Sequence, residues 1–155
     1  MQVSNKGIEL VKRYEGVILH SYLCPKGILS VGWGHTGSDV TEGMVITEEE
    51  AENLLKKDLK KFEGILNFSL EHDNITLNQN QFDACISFIF NLGFSAFIFS
   101  TLYEKLKQGD YAGASAEFPK WVYITKTDPE TGERFKIKLK GLEARRKSEQ
   151  ELFNL

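Results

Sequence analysis

A carboxylic acid that donates its proton to a scissile bond needs a position where its charged form is disfavoured, and Glu15 occupies such a place. Ser4 can cap a helix whose apolar positions Ile8, Val11 and Tyr14 recur at helical spacing, and Gly16 is placed to end it. Glu15 then falls in the last turn, facing the negative end of the helix dipole, which suits a general acid. Taken alone the feature is weak, because a glutamate at a helix end is usually a surface residue. Other reactive side chains are dispersed. His20, His35, His72, Cys24 and Cys85 show no zinc-ligand spacing, so neither a metal nor another cofactor is expected. Cys24 precedes a proline in a turn and Cys85 lies in an apolar run, so both are read as thiols rather than as a disulfide.

The elements that must position Glu15 follow from local pattern. From His20 to Thr36 the chain has short apolar runs among many glycines, and Cys24-Pro25-Lys26-Gly27 suits a type I turn, which predicts a hairpin or small three-stranded sheet. Thr47 and Glu50 form a capping-box pattern. Leu55, Leu59 and Phe62 then mark the buried stripe of a charged helix that continues to about Leu66. Asn78 with Gln81 begins another helix, apolar on nearly all faces through FDACISFIFNLG, which predicts an element enclosed by others. Short helices are expected from about Thr101 to Gln108, from Asp110 to Phe118, and from about Gly141 to Phe153. Between the last two, Val122 to Lys140 carries the turn Asp128-Pro129-Glu130-Thr131-Gly132 and then an apolar–polar alternation, which predicts a protruding β-hairpin. Trp121, Phe88, Phe90, Phe94, Phe97 and Phe99 are read as packing residues.

The class that results is α+β, mostly α. A small sheet lobe (about 16–47) is joined by the helix at about 48–66 to a helical lobe (about 67–155) that also takes in helix 4–15, with the hairpin inserted at about 122–140. A cleft between two lobes is the default place for a site.

Bulk properties exclude other classes. A chain of 155 residues, 41% hydrophobic and 26% charged, fits one globular domain. Its formal charge of -3 and its dispersed basic residues do not match a nucleic-acid binder. No apolar run approaches the roughly 18 residues of a membrane span, and MQVSNKGIEL lacks the apolar core of a signal peptide. Synthesis in the cytosol, no stable membrane insertion and a monomer are expected. The basic run from Lys136 to Lys147, interrupted by Ile137, Leu139, Leu142 and Glu143, reads as a solvated face.

An ordered set of motifs sharpens this picture. Glu15, Gly32-Trp33-Gly34-His35-Thr36, Ser100-Thr101-Leu102, Gly109-Asp110-Tyr111, Trp121, the segment from Asn78 to Ala84, and Gly141-Leu142-Glu143-Ala144-Arg145-Arg146 occur in order along nearly the whole chain. Together they resemble the phage endolysin family of lysozymes, of the T4 and P22 type. The resemblance implies a two-lobed lysozyme-like fold and a muramidase that hydrolyses the β-1,4 bond between N-acetylmuramic acid and N-acetylglucosamine in bacterial peptidoglycan. It also implies three catalytic positions, a glutamate ending the first helix, an aspartate nine residues on and a threonine six beyond, which here are Glu15, Cys24 and Ser30.

Ser30 keeps the hydroxyl that can position a water. Cys24 departs from the pattern, because glycoside hydrolysis ordinarily uses a second anionic group to activate water or attack the anomeric carbon. With a reference pKa of about 8.5, a thiol fills that role only in part. The alternative is a lysozyme-fold module retained for binding or scaffolding.

By the same resemblance His35 forms a structural ion pair with Asp58, and Asn91 hydrogen-bonds an N-acetyl group or else caps its helix. Arg145 brings a guanidinium to the cleft, where it holds Glu15 before substrate arrives or meets muramic and peptide carboxylates. The competing reading of Arg145 and Arg146 is two solvated helix arginines paired with Glu149. An endolysin made without a signal peptide depends on a membrane pore, a holin, to reach the wall. The hairpin, longer than the usual family connection, is a candidate for partner binding or substrate choice.

Overall fold

The computed structural model describes residues 1–24 and 27–155. Helix α1 (Asn5–Glu15) leads into a three-stranded antiparallel sheet in the order β1 (Ile18–Leu23), β2 (Leu29–Gly32), β3 (His35–Thr36). The long helix α2 (Glu48–His72) follows, then α3 (Gln79–Leu92), α4 (Phe94–Ile98), α5 (Thr101–Lys107), α6 (Tyr111–Glu117) and a 3-10 turn (Phe118–Lys120). Strands β4 (Tyr123–Thr127) and β5 (Arg134–Lys138) pair as a separate hairpin, and α7 (Lys140–Phe153) closes the chain. The fold is α+β and mostly helical. The type I turn expected at Cys24-Pro25-Lys26-Gly27 falls partly on 25 and 26, outside the described residues.

Two hydrophobic clusters account for the two lobes, and α2 serves both. Val31, Val40, Ile46 and Ala51 form the small one, with Leu54 packed against it. Leu55, Leu59, Leu66 and Leu70 of the same helix join the large one, built round α3, in which every residue from Phe82 to Ile89 is buried. The Thr47–Glu50 capping box sets the start of α2, with the Glu50 N–H donating to Thr47 Oγ1 at 3.1 Å and the Thr47 N–H donating to Glu50 Oε2 at 2.8 Å. Its end lies beyond the expected Leu66. Leu70, four residues on, keeps the buried stripe going, and the Tyr103 hydroxyl at 3.1 Å from the Ser69 carbonyl and 2.7 Å from Asp73 Oδ2 secures the last turn.

Helix α4 was not expected, since its five residues are too few to show a period. Phe99, expected to pack, is 89% exposed just after it. Trp121 does pack, edge to face on Phe88 with ring centroids 5.4 Å apart.

The first helix is held at its start by α3. Ser4 donates its N–H to Asp83 Oδ1 at 2.9 Å and its hydroxyl to Asp83 Oδ2, and its Oγ in turn accepts the Lys6 N–H. At its end Gly16 adopts φ 65°, a left-handed conformation that turns the chain into β1 immediately after Glu15.

Candidate active site

Glu15 is the last residue of α1, its side chain 24% exposed, and Arg145 Nη1 donates to its Oε1 at 2.5 Å. The rest of that guanidinium is committed elsewhere, with Nε donating to Glu149 Oε1 at 3.2 Å and Nη2 to the Ser87 carbonyl at 3.1 Å. The neighbouring Arg146 donates from Nη2 to Asn91 Oδ1 at 2.9 Å and to Glu149 Oε1 at 3.0 Å, and lies over the Phe88 ring. The reading of these two arginines as solvated is therefore incorrect, although their pairing with Glu149 holds, and the lysines of the same basic run, Lys136, Lys138, Lys140 and Lys147, are exposed as expected. Arg145 is 3% exposed and Arg146 and Glu149 are fully buried. They are inward because successive residues of α7 point to different sides of the helix, and both of these sides are covered, by α1 and by α3.

Burying three charges is costly, and it is tolerated because the groups face one another. Burial pushes the Glu149 carboxyl up, while Arg146, the Ser87 hydroxyl at 2.7 Å and Arg145 act against that shift. The same desolvation lowers the Arg146 guanidinium to about 10, so it stays charged at neutral pH.

Beside Glu15 opens a cleft of about 320 Å³ between the lobes. The sheet lobe contributes Trp33, Gly34 and Thr36, α2 contributes Asp58, Lys61 and Phe62, and α3 contributes Phe90. Phe62 and Phe90, expected in the core, are half-buried and meet edge to face at 5.9 Å on this wall.

His35 is anchored from both sides, Nδ1 at 2.7 Å from Asp58 Oδ2 and Nε2 at 3.0 Å from Asp39 Oδ1. Each ring nitrogen thus faces a carboxylate, which fixes the ring and ties β3 to α2. Asp39 was not singled out from the sequence, since it lies in a loop with no periodic signal. Its carboxyl is held well below the usual range by Lys57 and then by His35.

The remaining predicted positions lie on the sheet lobe and on α3. Ser30 is buried on β2 and donates its hydroxyl to the Ile28 carbonyl at 3.1 Å. Its cross-strand neighbours are Tyr22 and Thr36, and directly paired residues share a face, so Ser30 lies in the row whose outer member, Thr36, lines the cleft. Thr36 was in view only as part of the Gly-Trp-Gly-His-Thr motif; the strand register is what brings it to the cleft.

Cys24 follows β1, its N–H donating to the Ile28 carbonyl at 2.9 Å and its own carbonyl accepting the Gly27 N–H at 2.8 Å. It forms no disulfide with Cys85, which is buried in the large core, where desolvation raises its thiol far above the ordinary value. Asn91 is not the cap of α3, which ends on Gly93; its side-chain oxygen instead accepts from Arg146. Among the described residues no group of histidines, cysteines and carboxylates could hold a metal ion.

Comparison with known proteins agrees with this architecture. The phage lysozyme family model matches residues 12–149. An endolysin of Acyrthosiphon pisum secondary endosymbiont phage 1 is 43% identical over 153 residues, spanning 99% of this chain and 98% of that protein. Among solved structures, the muramidase domain of SpmX from Asticaccaulis excentricus superposes with a TM-score of 0.87 at 32% identity, covering 99% of this chain and 98% of the other. P22 lysozyme superposes with a TM-score of 0.78 at 38% identity, covering 100% and 99%. By the extent of the family match and by full-length identity to an endolysin, the chain belongs to the phage lysozyme family.

Proposed function

We propose that this protein is a muramidase that cleaves the β-1,4 bond between N-acetylmuramic acid and N-acetylglucosamine, with Glu15 as general acid. Membership of the phage lysozyme family supports peptidoglycan hydrolysis as the class of activity. The observation that carries the finer reading is Glu15 itself, a partly exposed carboxyl at a helix end, in a cleft between lobes, gripped by one nitrogen of a buried arginine.

In this mechanism Glu15 gives its proton to the glycosidic oxygen as the bond to the anomeric carbon breaks, and a water adds to the oxocarbenium-like centre. Ser30 suits the placing of that water. Its proton is committed to the Ile28 carbonyl, so its lone pairs remain to accept a hydrogen bond. By the family resemblance Cys24 stands at the position of the second anionic group, where its ionised form would activate water or attack the anomeric carbon and its neutral form would donate only a weak hydrogen bond. Arg145 neutralises Glu15 in the resting enzyme, and acidic groups of the arriving muramic residue compete for the guanidinium, which frees the carboxyl for protonation. Asn91 retains its amide N–H donors for an N-acetyl carbonyl while its oxygen is held by Arg146. Among the described residues no helix is long and apolar enough to cross a membrane, and release to the wall through a holin pore is part of this proposal.

Turbidity loss of a cell-wall suspension, with fragments identified by mass spectrometry, tests it. Wild type should release muropeptides and Glu15→Gln should not. Cys24→Ala and Cys24→Asp report whether the thiol takes part. No release from wild type, with a gain in Cys24→Asp, would mean a lysozyme fold kept for binding.

A further inference from the structure

The β4–β5 hairpin buries little, yet its two faces differ in a regular way. The register pairs Tyr123 with Lys138, Thr125 with Lys136 and Thr127 with Arg134, and these alternate pairs share one face. The opposite face carries Ile124 with Ile137 and Lys126 with Phe135, the two isoleucines being the half-buried residues of the strands. The first face thus presents a row of one tyrosine and two threonines beside a row of three cations. At its base a recess of about 340 Å³ is lined by Tyr123, Thr125 and Lys136 together with Trp121, Thr101 and Lys120.

Charge within this surface is only partly spent. Lys138 pairs with Glu143 at 2.5 Å, and Lys120 with Glu117, the acid of the recess, at 2.6 Å. Among the described residues no carboxylate lies within ion-pair distance of Lys136 or Arg134, which sit two residues apart on β5 and so roughly 7 Å apart along the strand. The hairpin's own acids, Asp128, Glu130 and Glu133, lie in the turn, where Asp128 accepts the N–H groups of Glu130 and Thr131. On a chain of formal charge -3, an aromatic, hydroxyl and cationic face is complementary to a polymer that carries both sugar and carboxylate.

We propose that this face of the hairpin is a second substrate-contact surface, which binds the carboxylate-bearing peptide stems of peptidoglycan strands outside the cleft. The proposal rests on the peptidoglycan reading above. Lys136 and Arg134 meet stem carboxylates, while Tyr123 and the threonines face the glycan.

Two lysines on opposite faces of the same hairpin provide the test. Lys136→Glu and Lys126→Glu, each placed in the full-length Glu15→Gln protein so that the polymer is not consumed, are compared in sedimentation with purified sacculi stripped of phosphodiester polymers. Lys136→Glu should bind about fivefold more weakly, with Lys126→Glu unchanged. Added salt should erase the difference, and stem-free glycan strands should bind all three proteins alike. Arg134→Glu, on the same face, should repeat the loss and guards against a folding defect peculiar to position 136. Equal losses at 126 and 136, an equal loss on stem-free strands, or a loss only on walls that keep their phosphodiesters would overturn the proposal. Failure of the Glu15→Gln parent itself to sediment with sacculi would instead overturn the peptidoglycan reading, and this one with it.

Discussion

Arg145 reaches Glu15 with one nitrogen, Nη1 at 2.5 Å from Oε1, while its other two nitrogens are anchored on Glu149 and Ser87. A fork anchored in this way sets the carboxyl's position more tightly than a solvated ion pair would. Glu15→Gln, isosteric but unable to donate a carboxylic proton, should therefore keep its fold and lose at least about 100-fold in muropeptide release. Arg145→Lys preserves charge but cannot serve three partners from one ammonium group, and should lose roughly 10-fold to 100-fold. Wild-type turnover in Arg145→Lys would remove the arginine from the site's working parts.

Glu149 is the shared counter-charge of two buried guanidiniums. Glu149→Ala leaves Arg146 fully buried, on the Phe88 ring and bonded to Asn91 but without a counter-charge among the described residues, and should cost about 3–5 kcal/mol in urea unfolding. Glu149→Gln retains a carbonyl acceptor for Ser87 and the arginines and should cost less. A loss below about 1 kcal/mol in Glu149→Ala would show that water reaches this cluster.

The seat of α1 on α3 depends on a missing side chain. A Cβ on Gly7 would come within 2.9 Å of Asp83 Cβ and 2.5 Å of Val3 Cγ2, so Gly7→Ala must displace either α1 or the carboxylate that holds Ser4. Overpacking of this kind costs about 1–3 kcal/mol, despite the better helix propensity of alanine. A thermal scan in which Gly7→Ala melts at or above wild type would contradict the close packing.

Stability should fall on the acid side for an identifiable reason. Lys12 Nζ donates to Glu52 Oε2 at 2.6 Å and, with Lys56, holds the Glu52 carboxyl at about 2 against an ordinary value of 4.5. A carboxyl depressed in the folded state stabilises fully above its unfolded pKa and loses that contribution as pH falls through the folded one, here from about 4.5 toward 2. Solvent around Glu52 keeps the effect modest. Glu52→Gln should flatten the fall in melting temperature between pH 5 and pH 2.5; parallel curves for the two proteins would rule the pair out as a source of acid sensitivity.

What was legible beforehand was what neighbouring residues settle among themselves. Thr47 with Glu50 and Asn78 with Gln81 mark helix starts because a capping box closes over three residues. The Asp128 to Gly132 turn and the alternation after it specify a hairpin, and Gly16 ends α1 at Glu15 because a positive φ there needs no distant partner. The ordered motifs placed Glu15 and Arg145 as candidates and paired His35 with Asp58. Local pattern misled where burial depends on what lies across a gap: Phe99 emerged into solvent and Arg145 and Arg146 went inward, while Phe62 and Phe90 pack on the large core as expected and line the cleft as well.

The sequence by itself determined most of the element types, the capped starts of α1, α2 and α3, and the family to which the chain belongs, since each rests on contacts a few residues long or on motifs in linear order. The tertiary structure alone decided that the guanidinium expected at Glu15 is buried and serves Glu15, Glu149 and Ser87 at once, and that Asp39 completes the setting of His35. Those relations arise only once α7 packs on α1 and α3, because a buried charge takes its partner from whatever groups the fold brings within hydrogen-bond reach.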